Sequence, residues 1–195
     1  MTGMTDTNEP ETSQAYELKE EGIQLFQEGL YEEALAQFDR AREAFEAAGN
    51  ELEMAEMINN QGVVYRVQGH WEQAVAALEE ARAIFVRLGD RDREAQALGN
   101  LGGLYASRGD RERANECLRQ AADIFAELGE TQRQGETLLA LGIQKWKMGD
   151  RSGGLATYEA GLQTLERPTA SQKVLRGLLQ MRARLVGGTS PNPQT

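Results

Sequence analysis

Apolar residues along this chain return at helical intervals. Leu98, Leu101, Leu104 and Tyr105 share one helical face, and Ala114, Leu118, Ala121 and Phe125 share another, with charged and amide residues between them. This spacing predicts amphipathic helices, and no run shows the period of two that marks a half-buried strand. The pattern also repeats as a whole. Glycine stands at Gly22, Gly62, Gly102 and Gly142, and seven residues later each time at Gly29, Gly69, Gly109 and Gly149. After these come Ala34, Ala74, Ala114 and Gly154, then Phe38, Leu78, Leu118 and Tyr158, then Ala41, Ala81, Ala121 and Gly161. A fixed period of 40 residues held by five columns over four copies marks a helical repeat architecture.

Each copy reads as a pair of helices. Gly109 and Gly149 are each followed by aspartate, which suits a left-handed helix stop and then an N-cap. A second stop falls at Gly49, Gly89 and Gly129, followed by Asn50, Asp90 and Glu130, where one copy hands over to the next. Helices approach closely only where the crossing side chains are small. Gly22 and its equivalents are therefore expected where the first helix of a copy meets the second, with the Ala34 and Ala41 columns serving the same contact. The fourth copy departs most, with Lys145 in place of tyrosine and Gly154 and Gly161 in place of alanine. Because mid-helix glycine is unfavourable relative to alanine, that copy is expected to be the least stable and to need a cap.

Residues 171–186 are expected to supply it. Val174, Leu175, Leu178, Leu179 and Leu185 form a helical apolar stripe after Pro168. All the acidic side chains lie before this segment, which carries Lys173, Arg176, Arg182 and Arg184, so a basic cap on an acidic body is the expectation. The organisation is then a disordered tail over 1–14, four copies over about 15–54, 55–94, 95–134 and 135–170, the capping helix, and a disordered tail over 187–195.

Composition narrows the function classes. The 195 residues are 40% hydrophobic with a formal net charge of -10. That field repels phosphate backbones and anionic lipid, which argues against nucleic acid or membrane partners. No stretch has the length and apolarity of a membrane span. Cys117 is the single cysteine and His70 the single histidine, so an internal disulfide and a cysteine-held metal are excluded and a reducing cytoplasm fits. No catalytic residue, metal or cofactor is expected. His70 falls in a turn, and the carboxylate pairs Glu32 with Glu33 and Glu79 with Glu80 read as solvated helix faces.

Glycine at position 8, an aromatic or leucine at 11, alanine at 20, a large apolar residue at 24 and alanine at 27 resemble the tetratricopeptide repeat. The 40-residue spacing is similar to the long-repeat branch of kinesin light chains and Leu-Gly-Asn-type scaffolds. The resemblance implies an all-α fold: a right-handed superhelical solenoid of four helix-turn-helix repeats with a C-terminal capping helix. It also implies that positions 2, 5, 9, 12 and 13 of each first helix line a concave groove. On this chain the candidates are Tyr16, Lys19, Ile23 and Phe26; Asn59, Val63 and Arg66; Gly99 and Gly103; and Leu139, Ile143, Trp146 and Lys147. Asn60 and Asn100, at position 6, are added as amides able to bond a peptide backbone or a neighbouring helix. Lys19 and Arg66 read as isolated cations, because the lysine and asparagine set with which chaperone-binding relatives clamp a terminal carboxylate is absent. Phe26 and Trp146 read as exposed apolar anchors on either side of a middle emptied by Gly99 and Gly103.

The expected function is an adaptor that takes a partner's apolar peptide or amphipathic helix into this groove. The alternative is a self-assembling structural module, a homodimer made through the C-terminal helix or the edge of the fourth copy.

Overall fold

The computed structural model describes residues 8–187, with side chains from 13 to 181. Among them are nine helices and no strand: α1 (Asn8–Glu28), α2 (Tyr31–Ala47), α3 (Glu51–Gln68), α4 (Trp71–Leu88), α5 (Arg91–Arg108), α6 (Arg111–Leu128), α7 (Thr131–Lys147), α8 (Arg151–Thr164) and α9 (Ala170–Gly187). The all-α helical repeat read from the sequence is the observed architecture. Two compact units divide the chain, one holding α1–α5 and ending at Asp110, the other holding α6–α9 from Arg111 onward.

The stops lie where glycine spacing put them. Gly29, Gly49, Gly69, Gly89, Gly109, Gly129 and Gly149 all have φ between 68 and 98°, the left-handed conformation that a Cβ disfavours. The caps that follow differ in chemistry. Asn50 accepts from the Glu53 amide at 3.2 Å, Asp90 from the Arg93 amide at 2.9 Å, and Asp150 from the Gly153 amide at 2.9 Å. Glu130 makes no such bond and pairs instead with Arg133 at 3.1 Å, since the short side chains Asn and Asp, not Glu, suit the N-cap. One start signal lies outside the glycine register. Thr169 Oγ1 accepts from the Gln172 amide at 3.3 Å, and Gln172 Oε1 accepts from the Thr169 amide at 2.7 Å, a capping box that opens α9.

In the first unit the core runs between successive helices. Ala15, Leu18, Ala34, Phe38, Ala41, Phe45, Met57 and Val64 form one buried cluster, and Ala55, Ile58, Ala81, Ile84, Phe85 and Ala97 form a second. A Cβ on Gly22 would stand 2.6 Å from Phe38 Cε1, and one on Gly62 2.7 Å from Leu78 Cγ. The glycine column is thus the slot into which the large residue of the second helix fits. Helix α1 begins at Asn8, seven residues ahead of the expected start of the first copy. Pro10 with acidic neighbours suits a first helical turn. Of the disordered tails expected over 1–14 and 187–195, residues 8–14 and Gly187 are helical, and 1–7 and 188–195 lie outside the described residues.

In the second unit α7 packs on α6 and α8, and α8 carries α9. The α7–α8 crossing is made by paired glycines. A Cβ on Gly154 would lie 2.7 Å from the Trp146 nitrogen and 2.9 Å from the Gly142 oxygen, and one on Gly161 2.8 Å from the Gly135 oxygen. The backbones touch there, so the glycines read from sequence as a weakness are required by the contact. Helix α9 meets α8 through Leu179, Gln180 and Arg176, which with Glu159, Leu162 and Gln163 bound a cavity of about 70 Å3. Arg176 also donates to the Leu165 carbonyl at 3.1 Å. Val174, Leu178 and Met181 of the same helix are 65%, 58% and 61% exposed. Much of the stripe expected to dock is therefore left in solvent, and the Leu185, Arg182 and Arg184 side chains lie outside the described ones.

Candidate functional site

The first helices of the first unit, α1, α3 and α5, share a face along which polar and apolar stations alternate. At its start is a charge network. Lys19 of α1 donates to Glu53 at 2.9 Å and reaches Glu56 at 2.7 Å, both on α3. Arg93 of α5 grips the same two carboxylates at 3.0 and 2.7 Å, and Asp90 at 2.9 Å. Burial alone raises the Glu56 pKa, but hydrogen bonds from Lys19 and Arg93 outweigh it and hold the carboxyl below its ordinary range. Burial likewise opposes charge on Lys19, and the bonds to Glu56 and Glu53 outweigh it and hold its pKa above the usual lysine value. Lys19 is therefore not the isolated cation read from the sequence. Its partners stand 34 and 37 residues away, and a motif aligned within each repeat does not bring them together.

Next along the face, Asn100 of α5 donates to the Asn59 side-chain oxygen of α3 at 3.2 Å. Asn100 thus serves the neighbouring helix. Asn60 has a different place: with Ile23, Phe26, Gln27, Phe38 and Val63 it lines a cavity of about 330 Å3. Four of the residues read as groove positions, Ile23, Phe26, Asn60 and Val63, are brought together there. Phe26 is less free than expected, because it packs on the α1–α2 core with its ring 5.8 Å from that of Tyr31. Tyr16 likewise meets Phe45 edge-on at 5.1 Å while remaining 41% exposed.

Beyond the asparagine pair, Arg66 of α3 lies across α5. A Cβ on Gly103 would stand 3.3 Å from Arg66 Nη1, whereas one on Gly99 would meet nothing within 4 Å. Gly103 thus makes room for a side chain of this same unit, and the space over Gly99 is open. Arg66 is half-buried, and its Nε has no hydrogen-bond partner. Desolvation draws its pKa below the ordinary arginine value.

The second unit has its own cavity, of about 200 Å3, lined by Gly142, Ile143, Trp146 and Lys147 of α7 and Gly154, Leu155 and Tyr158 of α8. Ile143 is 44% and Trp146 51% exposed at its edge. The Arg151 guanidinium stands 5.9 Å from the centroid of the Trp146 ring, and Lys145 is drawn to Thr157 at 3.1 Å. Of the four candidates on α7, Ile143, Trp146 and Lys147 come together here. Leu139 sits at the glycine crossing, its nitrogen 2.9 Å from where a Cβ on Gly161 would stand. Leu155 and Tyr158 were missed because they belong to a second helix, although Gly154 beside them was a visible departure from the repeat. No group of three or more His, Cys, Asp or Glu among the described residues is placed to hold a metal ion, and no described helix is long and apolar enough to cross a membrane.

Comparison with known proteins agrees with this geometry. The tetratricopeptide repeat family model matches residues 12–85 and 53–127, more than half of the chain. No curated protein matches. Among solved structures, BtubC (BKLC) from P. vanneervenii superposes with a TM-score of 0.69 at 22% identity, covering 93% of this chain and 67% of its own. Aspartyl phosphate phosphatase F from Bacillus subtilis gives 0.68 at 16% identity over 85% of this chain and 43% of its own. A putative kinesin light chain repeat protein from Podosopora anserina gives 0.63 at 16% identity over 83% and 78%. This chain spans less than half the length of the phosphatase, and at these identities the likeness is one of fold. With the 40-residue period, the left-handed glycine stops and the glycine-slotted helix pairs, the match over 12–127 establishes that the chain belongs to the tetratricopeptide repeat family.

Proposed function

We propose that this chain is a protein-interaction module that receives an apolar or amphipathic segment of a partner polypeptide. The observation that carries the reading is the edge of the second unit's cavity, where the Trp146 indole is half exposed beside Ile143 over an apolar recess. Soluble proteins expose such groups where they bind, and aromatic anchors in pockets dominate interface energetics. The first unit's cavity offers the same chemistry, with the Asn60 and Gln27 amides able to fix a backbone. No catalysis, cofactor or metal enters this proposal, and its setting is the cytoplasm.

The test is partner capture from lysate with wild type and with an Ile143→Glu, Trp146→Glu double variant. Both side chains stand clear of the core, so the variant should match wild type in helicity and melting within about 0.5 kcal/mol. Phe26→Glu is unsuited to this purpose because Phe26 also supports α2. A protein retained by wild type and lost by the variant is the expected result; identical retained sets count against the reading.

A second reading rests on α9. Its exposed Val174, Leu178 and Met181 favour a homodimer, for which molar mass should rise with concentration in wild type and stay monomeric in a Val174→Lys, Leu178→Lys variant.

A further inference from the structure

Counted in the 40-residue period, α9 continues the series of first helices. Helices α1, α3, α5 and α7 hold Ala15 with Leu18, Ala55 with Ile58, Ala95 with Leu98 and Gly135 with Leu138, and the same two columns on α9 are Leu175 and Leu178. In the earlier copies these columns face the second helix of their own copy. Ala15 and Leu18 share a buried cluster with Phe38 and Phe45 of α2, and Ala55 and Ile58 share one with Ala81 and Phe85 of α4. A Cβ on Gly135 would stand 3.0 Å from the Gly161 oxygen of α8. Covered in this way, Ala15, Leu18, Ala55 and Ile58 are all buried.

Among the described residues α9 is a first helix without a second. Leu175 is 36% and Leu178 58% exposed, and Val174 and Met181 share the open face with them. Gly177 lies among these residues, and a Cβ there would meet nothing within 4 Å. The inner side of α9 is already used, by Arg176, Leu179 and Gln180 against α8. At about 100° per residue the stripe Val174, Leu178 and Met181 points the opposite way. What covers such a stripe elsewhere in this chain is an amphipathic helix returning after a short turn.

Charge selects among the helices that could lie there. The charged residues of α9 are Lys173, Arg176, Arg182 and Arg184, and no acidic residue follows Glu166. Two α9 helices laid face to face set like charges together, whereas a helix with carboxylates beside its apolar stripe brings the opposite sign. We propose that α9 is the first helix of a fifth copy that a partner completes, by laying an acidic amphipathic helix on Val174, Leu175, Leu178 and Met181 as α2 and α4 lie on their own first helices. The inference rests on the interaction-module reading. It uses a surface that shares no residue with either cavity, so its failure and the failure of that reading are separable.

The experiment titrates the full chain into three fluorescein-labelled, end-capped peptides of 17 residues, the length of α2. Each carries leucine and alanine at helical spacing, with glutamate, glutamine or lysine on the flanks. Fluorescence anisotropy should show the glutamate peptide binding about 10-fold or more tighter than the lysine peptide, with glutamine between them and the gap closing as salt is raised. Leu178→Gln with Met181→Gln should weaken the glutamate peptide about 10-fold or more without changing the melting temperature, since both side chains stand in solvent. Lys173→Glu should narrow the gap between the glutamate and lysine peptides, and Ile143→Glu with Trp146→Glu should leave all three affinities unchanged. Binding lost in the Ile143, Trp146 variant and kept in the Leu178, Met181 variant would put the helix in the α7–α8 cavity, overturning the inference and supporting the module. Equal affinity for the glutamate and lysine peptides, or no binding of any peptide, also overturns it and leaves capture through the cavities to be judged by its own test. A dimer in sedimentation that the Leu178, Met181 variant abolishes would make a second copy the occupant, and phosphatidylserine vesicles bound in place of the glutamate peptide would make it a lipid surface; either result overturns the inference.

Discussion

Lys19, Glu53, Glu56 and Arg93 tie three helices of the first unit together by pairs that are mostly shielded from water. A carboxyl whose folded pKa lies below its unfolded value near 4.3 stabilises fully above that value, and loses the contribution as pH falls through the folded pKa. Glu56 is such a group. Lys19 is the reverse case, its pKa raised, so its contribution is complete below about 10.4 and fades only as pH rises through the folded value. Between those limits the network is whole. Glu56→Gln should therefore lower the melting temperature near pH 7 by roughly 3 °C, about 1 kcal/mol for a domain of this size. The gap should close as pH falls through the low carboxylate range. Thermal melts of the two proteins across pH check this, and a gap that persists in acid would contradict the assignment of Glu56 as the titrating partner. These pairings were hidden in the sequence. Lys19 and Glu53 occupy different repeat positions, so their contact appears only once adjacent copies are stacked.

At the scale of elements, glycine has opposite meanings at two sites that look alike in the sequence. Gly154, in the first turn of α8, and Gly99, in the middle of α5, both sit within helices at positions where the family pattern does not ask for glycine. Propensity alone predicts that alanine stabilises each by about 1 kcal/mol. The α7–α8 crossing reverses the sign at Gly154, where a Cβ would press on backbone at 2.7 Å and overpacking costs about 1–3 kcal/mol. Gly99 faces open space, so Gly99→Ala should raise stability while Gly154→Ala lowers it, both read by chemical denaturation. A stabilised Gly154→Ala would show that the two backbones do not close on one another. The expectation that glycines weaken the fourth copy weighs one helix at a time, whereas the crossing involves two. Boundaries were legible to the extent that their chemistry is local. The seven left-handed glycines and the Asn50, Asp90 and Asp150 caps follow from neighbours in sequence, as does the unrecognised Thr169–Gln172 box.

For the molecule as a whole, period is what made the fold readable. A 40-residue repeat with small residues in fixed columns leaves one way to bury each apolar stripe, against the next helix, and the core clusters follow it. The candidate site was readable only as a set of columns. Ile23, Phe26, Asn60 and Val63 do converge on one cavity and Ile143, Trp146 and Lys147 on another. Which columns stay open was decided by contacts the motif does not encode: Arg66 occupying the room at Gly103, Asn100 turning to Asn59, and Leu139 lying in the glycine crossing.

Hydrogen exchange of the full chain, alone and with the partner recovered by capture, tests the central claim most directly. Binding through the two cavities predicts new protection in Ile23–Gln27, in 59–67 and in 142–147, with α2 and α4 unchanged. Protection confined to 174–181 of α9, with none in those three segments, would contradict it and place the interaction on the C-terminal helix.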